Sequence, residues 1–221
     1  MKQRRQVNFW SNFAKKSKKG DLDMNKIILI SISGILYILF LIWYKGFRKP
    51  LSPSETENII EEIKRTSNIT SERENHLFNA FREITTQDDG KEFLMVNLMK
   101  FRDNNPESEA MKAHKKYSRQ VMPELLKRGS FPIFMSKIIG KFIYNDKSIT
   151  WDQIAIIRYR SKRDFLNMAK NLANKDGGKN KWLALENTEV FPSKRVIVLG
   201  SIPFVLGLII FMINLLFIVI S

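Results

Sequence analysis

The stretch Ile149–Leu172, ITWDQIAIIRYRSKRDFLNMAKNL, joins a predicted β-strand directly to a predicted α-helix. Its first part, Ile149–Arg160, is rich in β-branched and aromatic residues, which favour strands. Ser161 and Asp164 then form the pattern of a capping box at a helix start. The next apolar residues keep the i, i+3, i+4, i+7 spacing of an amphipathic helix: Phe165, Met168, Ala169 and Leu172. The stretch predicts a strand followed by a helix that buries one face.

Four more elements complete the pattern on either side. Strands are predicted over Phe93–Phe101, Phe131–Ile143 and Thr188–Phe191. A helix is predicted over Pro106–Gly129, with a kink or restart at Pro123, because proline removes a helical hydrogen bond. The order is strand, helix, strand, strand, helix, strand. This order predicts an α+β fold, the ferredoxin-like βαββαβ unit with both helices on one face of an antiparallel sheet.

Two helices are expected before this domain. Pro50–Ser71 is predicted as a juxtamembrane helix that begins with a capping box of Ser54 and Glu57. His76–Thr85 is predicted as a second helix with an apolar face.

The predicted strands are apolar on both faces. Phe93–Phe101 alternates Met95, Asn97 and Met99 with Leu94, Val96 and Leu98. Two helices cover only one face of a sheet, so the other face needs a partner, most simply a second copy. The expectation is a homodimer that closes its two sheets around a shared interior, a dimeric α/β barrel.

Two uncharged blocks, Ile27–Tyr44 and Val196–Ile220, predict transmembrane helices at residues 26–44 and 195–220, each long enough to cross a bilayer. With them, the predicted organisation is a basic tail (1–25), a span, a helical linker (45–90), the ferredoxin-like domain (91–193) and a second span. Small and polar residues in the blocks suggest that the spans pack together: Ser31, Gly34, Gly200, Gly207 and Asn214. The alternative is that glycine and proline are simply common in membrane helices.

The chain carries a formal net charge of +15, from 37 Lys and Arg against 22 Asp and Glu. Its basic, aromatic tail is expected to lie on membrane lipid, and no nucleic-acid partner is expected. We expect a membrane protein with two spans, in a bacterial inner or plasma membrane. Basic residues flank the first span on both sides, so they do not decide its orientation. We favour an extracytoplasmic middle domain, because short basic tails resist translocation.

The residues of the predicted domain resemble the domain-of-unknown-function family thirteen-thirty of the dimeric α/β-barrel superfamily. The resemblance covers residues 92–192, over Met95–Arg102, Tyr117, Trp151–Ser161, Asp164–Met168 and Leu183–Thr188. It implies a ferredoxin-like dimer with a small cleft between sheet and helices, and no settled reaction. Asn180 and Lys181 stand where members of that family often carry a His-Arg pair.

Five residues are candidates for binding a ligand in such a cleft: Asn97, Tyr117, Trp151, Arg158 and Tyr159. Arg158 and Arg160 share a strand side and either hold a carboxylate or phosphate, or are exposed edge residues. His114 is a weaker candidate as a general base, and His76 a still weaker one. Each candidate also has a purely structural interpretation, and no catalytic residue is assigned.

The chain has no cysteine and only two histidines, so no metal site is expected and no cofactor motif is found. Three functions fit these observations. The first is binding of a small apolar or lipid-derived molecule by a membrane-anchored dimer. The second is a cofactor-free enzyme of the oxygenase or isomerase type, by analogy with the superfamily. The third is a non-catalytic membrane scaffold.

Overall fold

A computed structural model describes residues 2–47, 49–66, 71–143, 145, 148–173, 177–195 and 201–220, without the side chains of 2–23, 71–74, 177 and 220. The chain divides into two compact units. The first comprises Met1–Ile42 and Val198–Ser221, and the second comprises Trp43–Ile197.

The first unit is a pair of helices. α1 (Lys2–Lys45) is a single helix that includes both the basic tail and the first apolar block, and α7 (Ile202–Ile220) is the second block. The segments Met24–Lys45 and Ile202–Val219 are long and apolar enough to cross a membrane.

Polar contacts join these two helices. Asn214 Nδ2 donates to Ser33 Oγ at 3.0 Å, and Tyr37 Oη donates to the carbonyl oxygen of Pro203 at 2.8 Å. A methyl group at Gly207 would collide with the Tyr37 hydroxyl. Two predicted packing residues, Gly207 and Asn214, therefore lie where α1 meets α7.

The other predicted packing residues are placed differently. Ser31 is exposed, and its neighbour Ser33 makes the contact with Asn214 instead. Gly34 has open space around its Cα. Gly200 lies outside the described residues.

The second unit is built on a four-stranded antiparallel sheet with the strand order β2-β3-β1-β4. Its strands are β1 (Phe93–Phe101), β2 (Phe131–Lys137), β3 (Gln153–Tyr159) and β4 (Leu185–Ser193). Two helices connect strands in the ferredoxin-like manner: α4 (Glu109–Lys127) leads from β1 to β2, and α5 (Lys162–Ala173) follows β3. The predicted α+β, ferredoxin-like fold is confirmed by this topology.

The strand bounds differ from prediction at three places. The predicted second and third strands shorten to β2 and β3, and the residues between them form a long connection. β4 is longer than predicted and contains Pro192. Proline is tolerated there because β4 is an edge strand and needs hydrogen bonds on one side only. An additional helix, α6 (Gly177–Ala184), precedes β4.

Of the predicted kink or restart of the helix at Pro123, the restart is wrong. The helix runs from Glu109 to Lys127 with Pro123 inside it. Gly129 follows the C-cap Arg128, and its φ of 63° is the left-handed conformation expected of a glycine that terminates a helix. Ser108 caps the start of this helix, where its side chain accepts a hydrogen bond from Met111 N.

α2 (Pro53–Thr66) and α3 (Ser71–Thr85) pack with α5. The predicted capping box of Ser54 and Glu57 is wrong, because the box forms two residues earlier. Glu55 N donates to Ser52 Oγ, and Ser52 N donates to Glu55 Oε2. Pro53 then occupies the first helical position, where its lack of an N–H costs nothing.

Two of the three apolar clusters found among the described residues of this unit join its helices and its sheet. One joins α2, α3 and α5, and the other lies between the sheet and helices α4 and α5. In the second cluster Phe93 stacks on Tyr159 with ring centroids 5.4 Å apart. The helices therefore cover the face of the sheet that carries Phe93, Met95 and Tyr159.

The opposite face carries a row of four apolar side chains that crosses every strand. Val96 pairs with Ile156 and Phe191, and Ile156 pairs with Phe134. Phe134 is 49% exposed and Phe191 is 44% exposed. Large apolar side chains grouped on an open face are uncommon in monomeric soluble domains.

Candidate functional site

A small cavity lies between the covered face of the sheet and helices α4 and α6. It encloses about 40 Å³ and is lined by Asn97, Met99, His114, Tyr117, Lys181, Ala184, Leu185 and Thr188. Five of the eight residues carry a polar side-chain group. A cavity in which so many polar groups converge is a default candidate for a binding site.

The sheet contributes Asn97 to this cavity. Asn97 pairs with Ala155 on one neighbouring strand and Val190 on the other. Its amide nitrogen donates to the carbonyl oxygens of Met95 at 3.0 Å and Ala155 at 3.3 Å. These bonds orient the side chain, and its carbonyl oxygen has no hydrogen-bond donor among the residues that the structure describes.

α4 contributes His114 and Tyr117, which lie three residues apart and therefore on one helix face. The His114 ring packs edge-on against Phe101 with centroids 4.9 Å apart. Burial lowers the pKa of His114 below its ordinary value. Burial also raises the pKa of Tyr117 to about 12, so its hydroxyl keeps its proton and is available as a donor at neutral pH.

α6 contributes Lys181, which the sequence analysis noted only as a departure from a family pattern. α6 is tied to α4 by a hydrogen bond from Asn180 Nδ2 to Gln120 Oε1 at 3.1 Å. Burial lowers the pKa of Lys181, while its ammonium group lies 5.3 Å from the centroid of the Trp182 ring. A lysine with a lowered pKa beside a cavity is a recognised mark of a functional residue.

The charge balance of the cavity is one-sided. Lys181 is the one charged side chain in its lining, and the lining contains neither aspartate nor glutamate. The Thr188 hydroxyl group donates a hydrogen bond to the carbonyl oxygen of Leu98 at 2.9 Å. The ammonium, phenol and imidazole groups therefore present hydrogen-bond donors without a carboxylate to neutralise them.

Two of the five predicted ligand-binding residues, Asn97 and Tyr117, come together at the cavity. Tyr159 lies in the core instead, where its hydroxyl contacts Met168 Sδ at 3.8 Å. Trp151 is half-buried just before β3 and does not line the cavity. His76 is exposed on α3.

Arg158 is 1% exposed. Its guanidinium donates to Glu92 Oε2 at 2.7 Å, to the Gly129 carbonyl oxygen at 2.7 Å and to the Tyr44 carbonyl oxygen at 2.9 Å. Arg160 is likewise engaged, with two hydrogen bonds to Asp164. Both arginines are therefore committed to contacts within the unit, and neither lies at the cavity.

Within the part of the chain that the structure describes, no group of three or more His, Cys, Asp or Glu residues is arranged to hold a metal ion.

The comparisons with known proteins bear on the fold. No family model matches this chain, and no curated protein sequence matches it. The structure is similar to a protein of unknown function from Rhodopseudomonas palustris, at 21% identity and a TM-score of 0.48, over 59% of this chain and 97% of that one. A methylated form of that protein gives 21% identity and a TM-score of 0.47, over 62% and 99%.

A dabb family protein with a ferredoxin-like fold from Mesorhizobium loti is also similar, at 8% identity and a TM-score of 0.36, over 50% of this chain and 100% of that one. The ferredoxin-like topology of this chain stands on its strand order alone. The resemblance to one particular family of unknown function stays a prediction.

Proposed function

We propose that the ferredoxin-like domain binds a small molecule through a carboxylate or carbonyl oxygen of that molecule. The observation that supports this proposal is the cavity lined by Lys181, Tyr117 and His114 with no carboxylate among its walls. Charge-assisted hydrogen bonds from such donors favour an anionic or strongly polarised acceptor. Asn97 adds an acceptor for a hydroxyl or amide group of the same ligand.

The size of the cavity limits the ligand. A volume of about 40 Å³ accommodates a few atoms, since a single water needs about 10–15 Å³ of such space. A short carboxylic acid or oxo acid fits this scale better than an acyl chain. The apolar or lipid-derived ligand expected from the sequence belongs to an interior shared by two copies, and it stays a prediction together with the dimer.

Binding can be measured on the full chain in detergent, with acetate, glyoxylate and pyruvate as probes and calorimetry as the readout. We expect Lys181→Met to weaken binding at least tenfold, because a hydrogen bond to a charged group contributes about 1.5–3 kcal/mol. Lys179→Met is the matched control, since Lys179 is exposed on the same helix. Equal binding of a probe by the wild type and both variants would contradict the proposal. It would also be contradicted if none of the three probes bound to the wild type.

A second candidate function is proton transfer on such a ligand, which would make the protein a cofactor-free enzyme. It is favoured by one observation: two bases with lowered pKa values, His114 and Lys181, line the same cavity. A lowered pKa favours the unprotonated form of each side chain, which is the form that can accept a proton. Deuterium uptake by pyruvate in D₂O, followed by NMR and abolished in Lys181→Met, would support it. Uptake at the uncatalysed rate would exclude it for this probe.

We further propose that α1 and α7 anchor the domain in a lipid bilayer. The support is the length and apolar character of Met24–Lys45 and Ile202–Val219. The cysteine-free chain allows the side of the domain to be determined with a single Lys115→Cys variant, because Lys115 is exposed. Labelling by an impermeant reagent in intact cells would place the domain outside the cytoplasm, which is the side that the sequence analysis favours.

The homodimer is proposed on the apolar row of Val96, Ile156, Phe134 and Phe191. Its partially exposed aromatic side chains are the kind of surface that a second copy covers. Light scattering of the full chain in detergent tests this. A dimer that Phe191→Glu converts to a monomer would support the row as the interface, and a wild-type monomer would contradict it. The scaffold function would require that dimer and leave the cavity without a ligand.

A further inference from the structure

The connection between β2 and β3 exposes three large apolar side chains close together. Ile139 is 100% exposed, Phe142 is 96% exposed and Ile143 is 89% exposed. We call residues 138–143 the apolar loop. No other described stretch of the second unit leaves three such side chains so fully in solvent. A cluster of this kind marks a surface that meets a partner or a membrane.

The base of the apolar loop is held in place. Ile138 N donates to the Asp152 carbonyl oxygen at 2.8 Å. Lys141 Nζ donates to the Ser148 carbonyl oxygen at 2.6 Å and to Ser148 Oγ at 3.1 Å. These bonds close the connection across its two limbs. The exposed side chains therefore belong to a loop with a defined base.

The charged residues within the apolar loop and in β2 directly before it are basic. The sequence has no acidic residue between Glu124 and Asp146, whereas Lys137 and Lys141 lie in or beside the loop. Lys137 is exposed. A surface that is both apolar and basic complements the headgroup region of an anionic bilayer, where acyl chains and negative charge are adjacent.

The same charges argue against a second copy as the occupant. In a two-fold contact the same patch is used by both copies, so each copy would bring Lys137 and Lys141 into one interface. Like charges placed opposite one another oppose association. The homodimer proposed above uses the open face of the sheet, which is a different surface.

We infer that the apolar loop inserts Ile139, Phe142 and Ile143 among the headgroups of an anionic lipid surface, with Lys137 next to the lipid phosphates. This contact is separate from the candidate membrane spans and does not depend on the ligand of the cavity.

The full chain in nanodiscs provides the test, because both faces of the bilayer are open to solutes there. A Phe142→Cys variant carries a polarity-sensitive fluorophore as its one thiol label, since the chain has no cysteine. Lys115→Cys is the matched control on an exposed position of α4. Doxyl groups attached to lipids report contact with the bilayer, and iodide reports contact with water.

We expect the label at 142 to be quenched by doxyl lipid and protected from iodide, with the reverse at 115. Doxyl quenching at 142 should be stronger in phosphatidylglycerol than in phosphatidylcholine, and Lys137→Glu should reduce that difference. Iodide quenching at 142 equal to that at 115 would overturn the inference. Protection of position 142 from both quenchers would also overturn it, because protein would then cover the loop.

Discussion

Arg158 Nη2 donates to the carbonyl oxygen of Tyr44 at 2.9 Å, and the guanidinium carbon lies 3.6 Å from the centroid of the Tyr44 ring. Arg158 belongs to β3, whereas Tyr44 is separated from it by more than half of the chain. Trp43 makes a related contact, since its indole nitrogen donates to the Leu126 carbonyl oxygen at 2.8 Å. These contacts make Trp43 and Tyr44 part of the domain's own packing.

Arg158→Met should destabilise the domain by about 3 kcal/mol, because removing one partner of a buried ion pair leaves polar groups without compensation. Glu92 and the carbonyl oxygens of Gly129 and Tyr44 would lose their donor. Denaturation of the full chain in detergent, followed by tryptophan fluorescence, measures the change. Arg119→Met is the control, since Arg119 is exposed. A change within about 0.5 kcal/mol of that control would show that the buried contacts contribute little.

Pro123→Ala should stabilise the domain by about 2 kcal/mol. Alanine restores the hydrogen bond that proline removes inside α4, and this gain exceeds the loss of chain restriction in the unfolded state. Pro123 is exposed, so little packing is lost. Pro106→Ala, in the exposed loop before α4, should leave the unfolding midpoint unchanged or slightly lower. A lower midpoint for Pro123→Ala would mean that the helix needs the proline.

Acidification should destabilise the domain through His114. Its pKa is lowered by burial, so the unfolded chain takes up a proton before the folded one does as the pH falls below about 6.5. Stability should be independent of this group above that pH and fall below it. Unfolding midpoints between pH 7 and pH 5 should decline less in His114→Gln than in the wild type. His76→Gln, at an exposed position, should behave as the wild type.

The ion pair of Glu55 and Arg163 should be visible as an unusually acidic carboxyl group. Hydrogen bonds from the Arg163 side chain and the Ser52 backbone lower the pKa of Glu55 to about 2. Its contribution to stability should be complete above the ordinary glutamate value of 4.5 and be lost as the pH falls towards 2. Carbon NMR titration of Arg163→Met should find the Glu55 pKa raised.

Arg82→Met provides the matched control for this titration. Arg82 holds Glu57 through two hydrogen bonds, at 2.7 and 2.8 Å, and its loss should raise the pKa of Glu57 without moving that of Glu55. An unchanged Glu55 titration in Arg163→Met would contradict the assigned cause.

The elements predicted best are those with a strong local period. β1 has the predicted bounds Phe93–Phe101, and α5 begins at the predicted capping box, where Asp164 N donates to Ser161 Oγ. The element order and the antiparallel topology follow from these patterns. Local periodicity is sufficient here because each element buries one regular face.

Other features depend on contacts that no local pattern contains. α6 begins with Gly177 and Gly178, a residue type that disfavours helices, and it packs on α4 through Asn180. Alternation along β3 places Arg158 on the outer face, where an exposed arginine is expected. A distant segment, Trp43–Tyr44, covers it instead. Lys181 escaped assignment for the same reason, since a lysine in a polar segment has no signal of its own before α4 and β1 enclose it.

The contacts of the Arg158 guanidinium with Tyr44 limit where the chain can be cut to make a shorter fragment. An apolar helix that only tethers a domain can be exchanged for any other helix of similar length. Here its last turn supplies the two acceptor groups, Trp43 O and Tyr44 O, that receive hydrogen bonds from Arg160 and Arg158. A fragment that starts at Lys45, or a chimera with a foreign anchor, loses these acceptors and exposes a charged group that normally never meets water. A fragment of the domain prepared for secretion or crystallisation should therefore begin no later than Trp43.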